Sequence, residues 1–149
     1  MPTTIETRTP AQLTPAELYA LLRLRVDVFV VEQACAYPEL DGRDLEPGTR
    51  HLWAHDDGEL LGTVRVLDAD GTRPVVGRVA TAPAARGRGV AGALIERALG
   101  LCRAGAPVEL HGQAHLERWY ERFGFVRTGE TYDEDGIPHV PMVRTPPAR

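Results

Sequence analysis

Apolar residues recur along this chain with two different periods, and the changes of period divide it into elements. Residues 3–7 alternate weakly and read as a first strand. Thr14-Pro15-x-Glu17 is a capping box with proline at the first helical position. Apolar residues follow at 18, 21, 22, 24 and 28, which predicts a helix to about Val31. From residue 34 to 50 the period disappears, and Pro38, Asp41-Gly42 and Pro47-Gly48 interrupt the chain, so a long loop is expected. Loops of that length inside one domain usually carry function. Residues 51–55 and 59–67 look like strands joined at Asp57-Gly58, a strong hairpin signal. Asp70-Gly71 turns the chain into another strand that ends near Ala82. A helix over 89–103, a strand over 107–113, a short helix over 115–123 and a final strand pair, 125–132 with 139–144, complete the series. Hairpins on one side and a βαβ crossover near the middle suggest a mixed sheet; the pattern alone reaches α+β.

Composition narrows the class. A chain of 149 residues supports a single domain, expected over 1–149, and no linker or repeat argues for two. Hydrophobic content of 43% is ordinary for a globular protein, and a net charge of −4 offers no basic patch for nucleic acid. The start, Met1 to Glu6, lacks the basic region and apolar run of a secretory leader, and no stretch approaches the ~20 apolar residues of a membrane span. Cys35 and Cys102 are too few for a disulfide framework, so reduced thiols and a cytoplasmic location are expected. The chain has no lysine and no serine, which removes P-loop NTPases and the usual serine hydrolases.

The strongest local signal is Arg86-Gly87-Arg88-Gly89-Val90-Ala91, which follows an apolar strand and opens a helix. Glycines let the backbone come close to a ligand, and a helix N-terminus carries about half a positive charge. Two arginines suit phosphate oxygens. A phosphorylated ligand is expected at this loop. Gly87-x-Gly89-x-x-Gly92 satisfies the dinucleotide fingerprint, but residues 82–86 separate it from the strand and no run of βαβ units surrounds it.

Read as Arg86-x-x-Gly89-x-Ala91, the loop resembles the coenzyme A pyrophosphate loop of the GNAT superfamily of N-acetyltransferases. Trp119-Tyr120-Glu121-Arg122-Phe123-Gly124-Phe125 is similar to the Tyr-x-x-x-Gly-Phe segment near the C-terminus of that superfamily. The segments 18–25, 28–33 and 133–139 are similar to its ElaA-like branch. The resemblance implies the GNAT fold, a mixed, mostly antiparallel sheet with helices on both faces, and acetyl-CoA as donor. It also implies that Val79, Ala80 and Thr81 pair with the pantetheine arm as an added strand would, one of their N–H groups serving the oxyanion. Gln113 stands where many members carry asparagine, seven residues before Tyr120, and is expected on the same arm.

Acetyl transfer to an amine needs a proton donor for the leaving thiolate and a proton acceptor for the amine. Tyr120 is the expected acid. A phenol of ordinary pKa about 10 protonates a thiolate of pKa about 8.5 at a cost of ~2 kcal/mol. The same residue would also serve as an aromatic packed beside Trp119 and Phe123. Deprotonating a lysine-like amine at pH 7 costs roughly 4.6 kcal/mol, and Glu32, closing the apolar run 28–31, is the expected base. An ordinary helix-end charge explains Glu32 as well, and His51 and His139 are the next candidates. His111 and His115 lack the helical context of a zinc pair, so no metal site is expected. Glu32, Glu39, Asp41, Asp44 and Glu46 would form an acidic rim that attracts a cationic acceptor, and a solvated loop explains the same residues as well. The acceptor is a small-molecule or peptide amine of open identity, and a homodimer stays open. A non-catalytic acyl-CoA-binding or regulatory module of the same fold is the alternative.

Overall fold

The computed structural model describes residues 3–146. Met1, Pro2 and residues 147–149 lie outside that range, and with them both ends of the expected domain and the start of the segment read for a leader.

Eight strands form one sheet: β1 Thr4–Arg8, β2 Arg50–Asp56, β3 Glu59–Leu67, β4 Val75–Thr81, β5 Val108–Gln113, β6 Phe125–Arg127, β7 Tyr132–Glu134 and β8 Ile137–Arg144. They lie in the order β1-β2-β3-β4-β5-β8-β6, with β7 also on β8. Every pairing is antiparallel except β4 with β5, which the helix α2 (Val90–Leu101) connects. The Asp57-Gly58 turn closes the β2–β3 hairpin with both residues at positive φ, as a two-residue turn of this hand requires. The predicted strand 125–132 is two strands. The Thr128 N–H still bonds the Pro141 carbonyl at 2.9 Å, after which residues 129–131 leave the ladder, and β6 and β7 meet β8 at separate places.

Helices cover both faces. On one side, Leu94, Ile95 and Ala98 of α2 and Tyr120 of α3 (Glu117–Glu121) pack on Leu52, Val64, Val66, Val76 and Leu110 of the sheet. On the other, Leu24 and Val28 meet Ala80. Leu24 belongs to α1 (Pro15–Val26), which starts at the Thr14/Glu17 capping box the sequence predicts. The α geometry stops at Val26, and residues 27–32 continue as a π-helical segment, with Gln33 N bonded to Val28 O and Cys35 N to Val30 O. Val26, Val28, Val30 and Val31 put four branched side chains, which are poorer helix formers, in or beside this segment. This segment ends beside the opening between β4 and β5.

Candidate active site

Parallel β4 and β5 pair only at Val75–Glu109 and Val76–Leu110 among the described residues, and then diverge. A bulge sharpens the separation. Thr63 pairs with Ala80 but Arg65 with Gly77, so β4 carries one extra residue there, and Arg78 takes a φ of 52°. The divergence opens a cleft of about 1170 Å³. Val79 and Thr81 of β4, Gln113 of β5 and Tyr120 of α3 line it, and the residues after β4, Arg86, Gly87, Gly89, Val90 and Ala91, line it as well.

The loop expected to take a phosphate is an open glycine turn before α2. Gly87 and Gly89 lie at φ of 81° and 76°, where an L side chain is strained, and a Cβ at either would meet nothing within 4 Å. Gly89 caps α2 without a side chain, so the first-turn amides of α2, at Val90, Ala91 and Gly92, keep their N–H groups for a ligand. An uncapped helix start behind an open glycine turn fits a pyrophosphate. The flanking arginines are engaged elsewhere. Arg88 bonds Asp56 at 2.7 Å, and Arg86 grips Glu32 through both carboxylate oxygens at 2.7 and 2.6 Å.

That last pair changes the reading of Glu32. Hydrogen bonds from Arg86 hold its carboxyl below the usual carboxylate range, which weakens it as a proton acceptor. It stands at the end of the cleft where the glycine loop lies, tied to that loop through Arg86. His51 is 1% exposed, bonds the carbonyl of Asp44 and has its pKa lowered by burial. His139 lines the cleft with Nδ1 on the Ile137 carbonyl at 2.8 Å and Nε2 3.3 Å from Glu134.

Tyr120 is buried against Trp119 and Phe125, so it both packs in the core and lines the cleft. Burial pushes its phenol up to about 12. Its ring lies on the backbone of Gly112, where a Cβ would sit 2.7 Å from Cε2. Gln113 turns to the opposite face of β5 and bonds Gln33 at 3.1 Å.

The acidic rim is a correction. Glu39 and Asp44 are 3% and 7% exposed and bind arginines instead of facing solvent. Arg25 Nε donates to Glu39 at 2.6 Å and Arg25 Nη1 to Asp44 at 2.6 Å. Arg65 bonds Asp41 and Asp44, and Arg78 bonds Glu39 and Asp41. Tyr37 donates a short bond to Glu39, and Glu46 pairs with Arg43. Three carboxylates thus meet three guanidinium groups, and the charge cancels. Sequence reasoning missed these arginines, although Arg25 follows Leu21 by four residues and so sits on the apolar face of α1, which is a readable signal. The cluster fastens the 34–49 loop over β3 and β4, where Tyr37, Pro38 and Asp41 wall one lobe of the cleft.

The comparisons agree with this architecture. The profile of the acetyltransferase (GNAT) domain family matches residues 18–146. Protein ElaA of Escherichia coli is 44% identical over 139 residues, 90% of this chain and 91% of its own. A UPF0039 protein of Mycobacterium tuberculosis is 49% identical over 131 residues, 85% and 83% of the two chains. The crystal structure of an acyl-CoA N-acyltransferase from Pseudomonas aeruginosa superposes with a TM-score of 0.90 at 47% identity, covering 97% of this chain and 100% of that one.

Proposed function

The chain belongs to the GNAT acetyltransferase family, on its ElaA-like branch, and we propose that it moves an acetyl group from acetyl-CoA to a primary amine by direct attack. The observation that carries this reading is the divergence of β4 from β5 beyond Val76 and Leu110, with an anion loop at one end and a phenol in the wall. The amides of residues 87–91 hold the pyrophosphate, with Arg88 beside them. Arg86 exchanges Glu32 for a phosphate oxygen when the donor binds. The edge of β4 at Val79, Ala80 and Thr81 pairs with the pantetheine arm, and Gln113 contacts it from β5.

Tyr120 donates to the sulfur as the carbon–sulfur bond breaks. With its phenol near 12, full transfer to an ordinary thiolate of pKa about 8.5 runs roughly 5 kcal/mol uphill, against ~2 for an unshifted phenol. The same burial keeps the proton in place across the working pH range. Its main contribution is therefore a hydrogen bond that strengthens as charge builds on sulfur, with the proton following.

The acceptor is a small-molecule or peptide amine that enters the lobe under the 34–49 loop. The acidic members of that loop are neutralised by arginine, so they give the acceptor its walls and little net attraction. Among the described residues no helix is long and apolar enough to cross a membrane, and both cysteines are free. A cytoplasmic place of action fits those thiols. The reading is tested by release of CoA from acetyl-CoA across a panel of primary amines. Release that depends on the amine supports it; tight CoA binding with no amine-dependent release assigns the chain to the acyl-CoA-binding class.

A further inference from the structure

Tyr120 and the phosphate loop leave the other half of an amine transfer unserved, because Glu32 stands beside Arg86 at the end of the cleft assigned to the pyrophosphate. Another pair of proton-carrying side chains touches where β5 lines the cleft. His111 is the first residue of β5 beyond its last pair with β4, and its exposed imidazole lines the cleft. Its Nδ1 lies 2.8 Å from the hydroxyl of Tyr132 on β7, with the rings edge-on at 6.1 Å.

Strand alternation fixes which way it faces. Gly112 presents the face on which Tyr120 lies, whereas Gln113, on the other face, reaches Gln33 after the π-helical turn. His111 shares the Gln113 face. It and Tyr120 therefore flank the same point of the opening from opposite sides of β5. His139 has Nδ1 on the Ile137 carbonyl and Nε2 facing Glu134 at 3.3 Å, and His51 is sealed in the arginine–carboxylate cluster. With Nδ1 protonated and donating to the Tyr132 oxygen, His111 keeps the lone pair of Nε2 for another partner.

We propose that His111 is the proton acceptor for the attacking amine, its ring held by Tyr132. The inference rests on the acetyl-transfer reading and adds the base to it. A neutral amine nitrogen bonds to the carbonyl carbon, and the carbonyl electron pair moves onto oxygen. The nitrogen turns acidic as that bond forms and passes a proton to Nε2. The carbonyl re-forms, the carbon–sulfur pair leaves on sulfur, and sulfur takes the proton of Tyr120. Solvent then removes the proton from His111 and returns one to Tyr120, leaving amide and free thiol. Tyr132 acts as a positioning residue that supports the imidazolium through Nδ1. The other charged or titratable groups around this lobe are Glu134, Asp135 and His139 from the β7–β8 hairpin, Arg78 from β4, and Cys35, Tyr37 and Asp41 from the loop. Glu109, two residues back on β5, is paired with Arg73.

The test is a pH–rate profile of CoA release for the unaltered protein, His111→Ala, His111→Gln and Tyr132→Phe, with CoA binding and melting temperature measured alongside. His111→Ala should lower kcat about 100-fold or more, remove the acid limb of the profile and leave CoA affinity and melting unchanged. Added imidazole should restore part of the rate in the Ala variant, because the exposed site has room for it. Tyr132→Phe should lower kcat less, at unchanged KM, and shift the limb. Full activity in both His111 variants overturns the proposal, and so does a loss that imidazole does not restore. An unaltered protein that turns over no amine overturns the acetyl-transfer reading and this inference together; turnover that ignores His111 overturns this inference alone.

Discussion

Replacing Arg25 with methionine keeps most of the stem and removes the guanidinium from the centre of the carboxylate cluster. Arg25 is 1% exposed and faces Glu39 and Asp44, both nearly sealed from water. Breaking a buried pair by removing one partner costs about 3–5 kcal/mol, because a charge is left uncompensated. Here Glu39 keeps Arg78 and Asp44 keeps Arg65, so the cluster is left one negative charge in excess. The lower end, about 3 kcal/mol, is therefore expected, and at 2–4 °C per kcal/mol the melting temperature should fall by roughly 6–12 °C. A second substitution, Glu39→Gln, restores neutrality and should recover part of that loss.

The pH dependence has a definite sign. Burial alone would raise Asp41 and Asp44, but hydrogen bonds from Arg65 to the first and from Arg25 to the second win, and both carboxyls lie below their ordinary values, Asp41 at about 2. Their contribution to stability is present above roughly pH 4, where the unfolded carboxyls ionise, and is lost as pH falls through the folded values. In Arg25→Met the surplus carboxylate gains affinity for a proton, so the deficit against the unaltered protein should narrow on acidification. Thermal and urea melts from pH 2 to pH 8 read both effects. A deficit under about 1 kcal/mol that does not change with pH would refute the claim that this cluster anchors the 34–49 loop.

Other variants probe the cleft. Tyr120→Phe keeps the ring and removes the donor; kcat should fall roughly 10- to 1000-fold with little change in acetyl-CoA binding by calorimetry, and full activity would leave Tyr120 a packing residue. Gly112→Ala places a Cβ 2.7 Å from the Tyr120 ring, so the ring must move, and kcat should drop in a protein whose circular dichroism is unchanged. Glu32→Gln loosens Arg86 and removes a negative charge beside the proposed pyrophosphate site, so calorimetry should show tighter CoA binding. A rate loss confined to low pH would instead restore Glu32 as the base.

The elements legible in the sequence were those set by local chemistry. The capping box at Thr14, the Asp57-Gly58 hairpin and the glycine turn before α2 each follow from a few neighbouring residues, and each is present. What depended on distant partners was not legible. Nothing near Glu32 announces Arg86, fifty-four positions on, and nothing near Glu39 announces Arg78. Counting the loop carboxylates gave an acidic rim because their arginines come from α1, β3 and β4. The break at residues 129–131 was hidden for a similar reason, since the partner β8 decides where each short strand pairs. His111 was visible as a residue, but its contact with Tyr132 depends on how β5 and β7 flank β8.

The central claim is that the loop after β4 binds the pyrophosphate of an acyl-CoA used for transfer. Gly89 lies at φ of 76° at the open N-terminus of α2, and Gly89→Asp puts a strained side chain and a negative charge where the phosphates are proposed to lie. The most direct measurement is calorimetric titration of the unaltered protein and of this variant with acetyl-CoA, followed by amine-dependent CoA release on the same samples. The unaltered protein should bind acetyl-CoA and release CoA, and a variant that melts as a folded protein should do neither; undiminished acetyl-CoA binding by folded Gly89→Asp would contradict pyrophosphate binding at this loop.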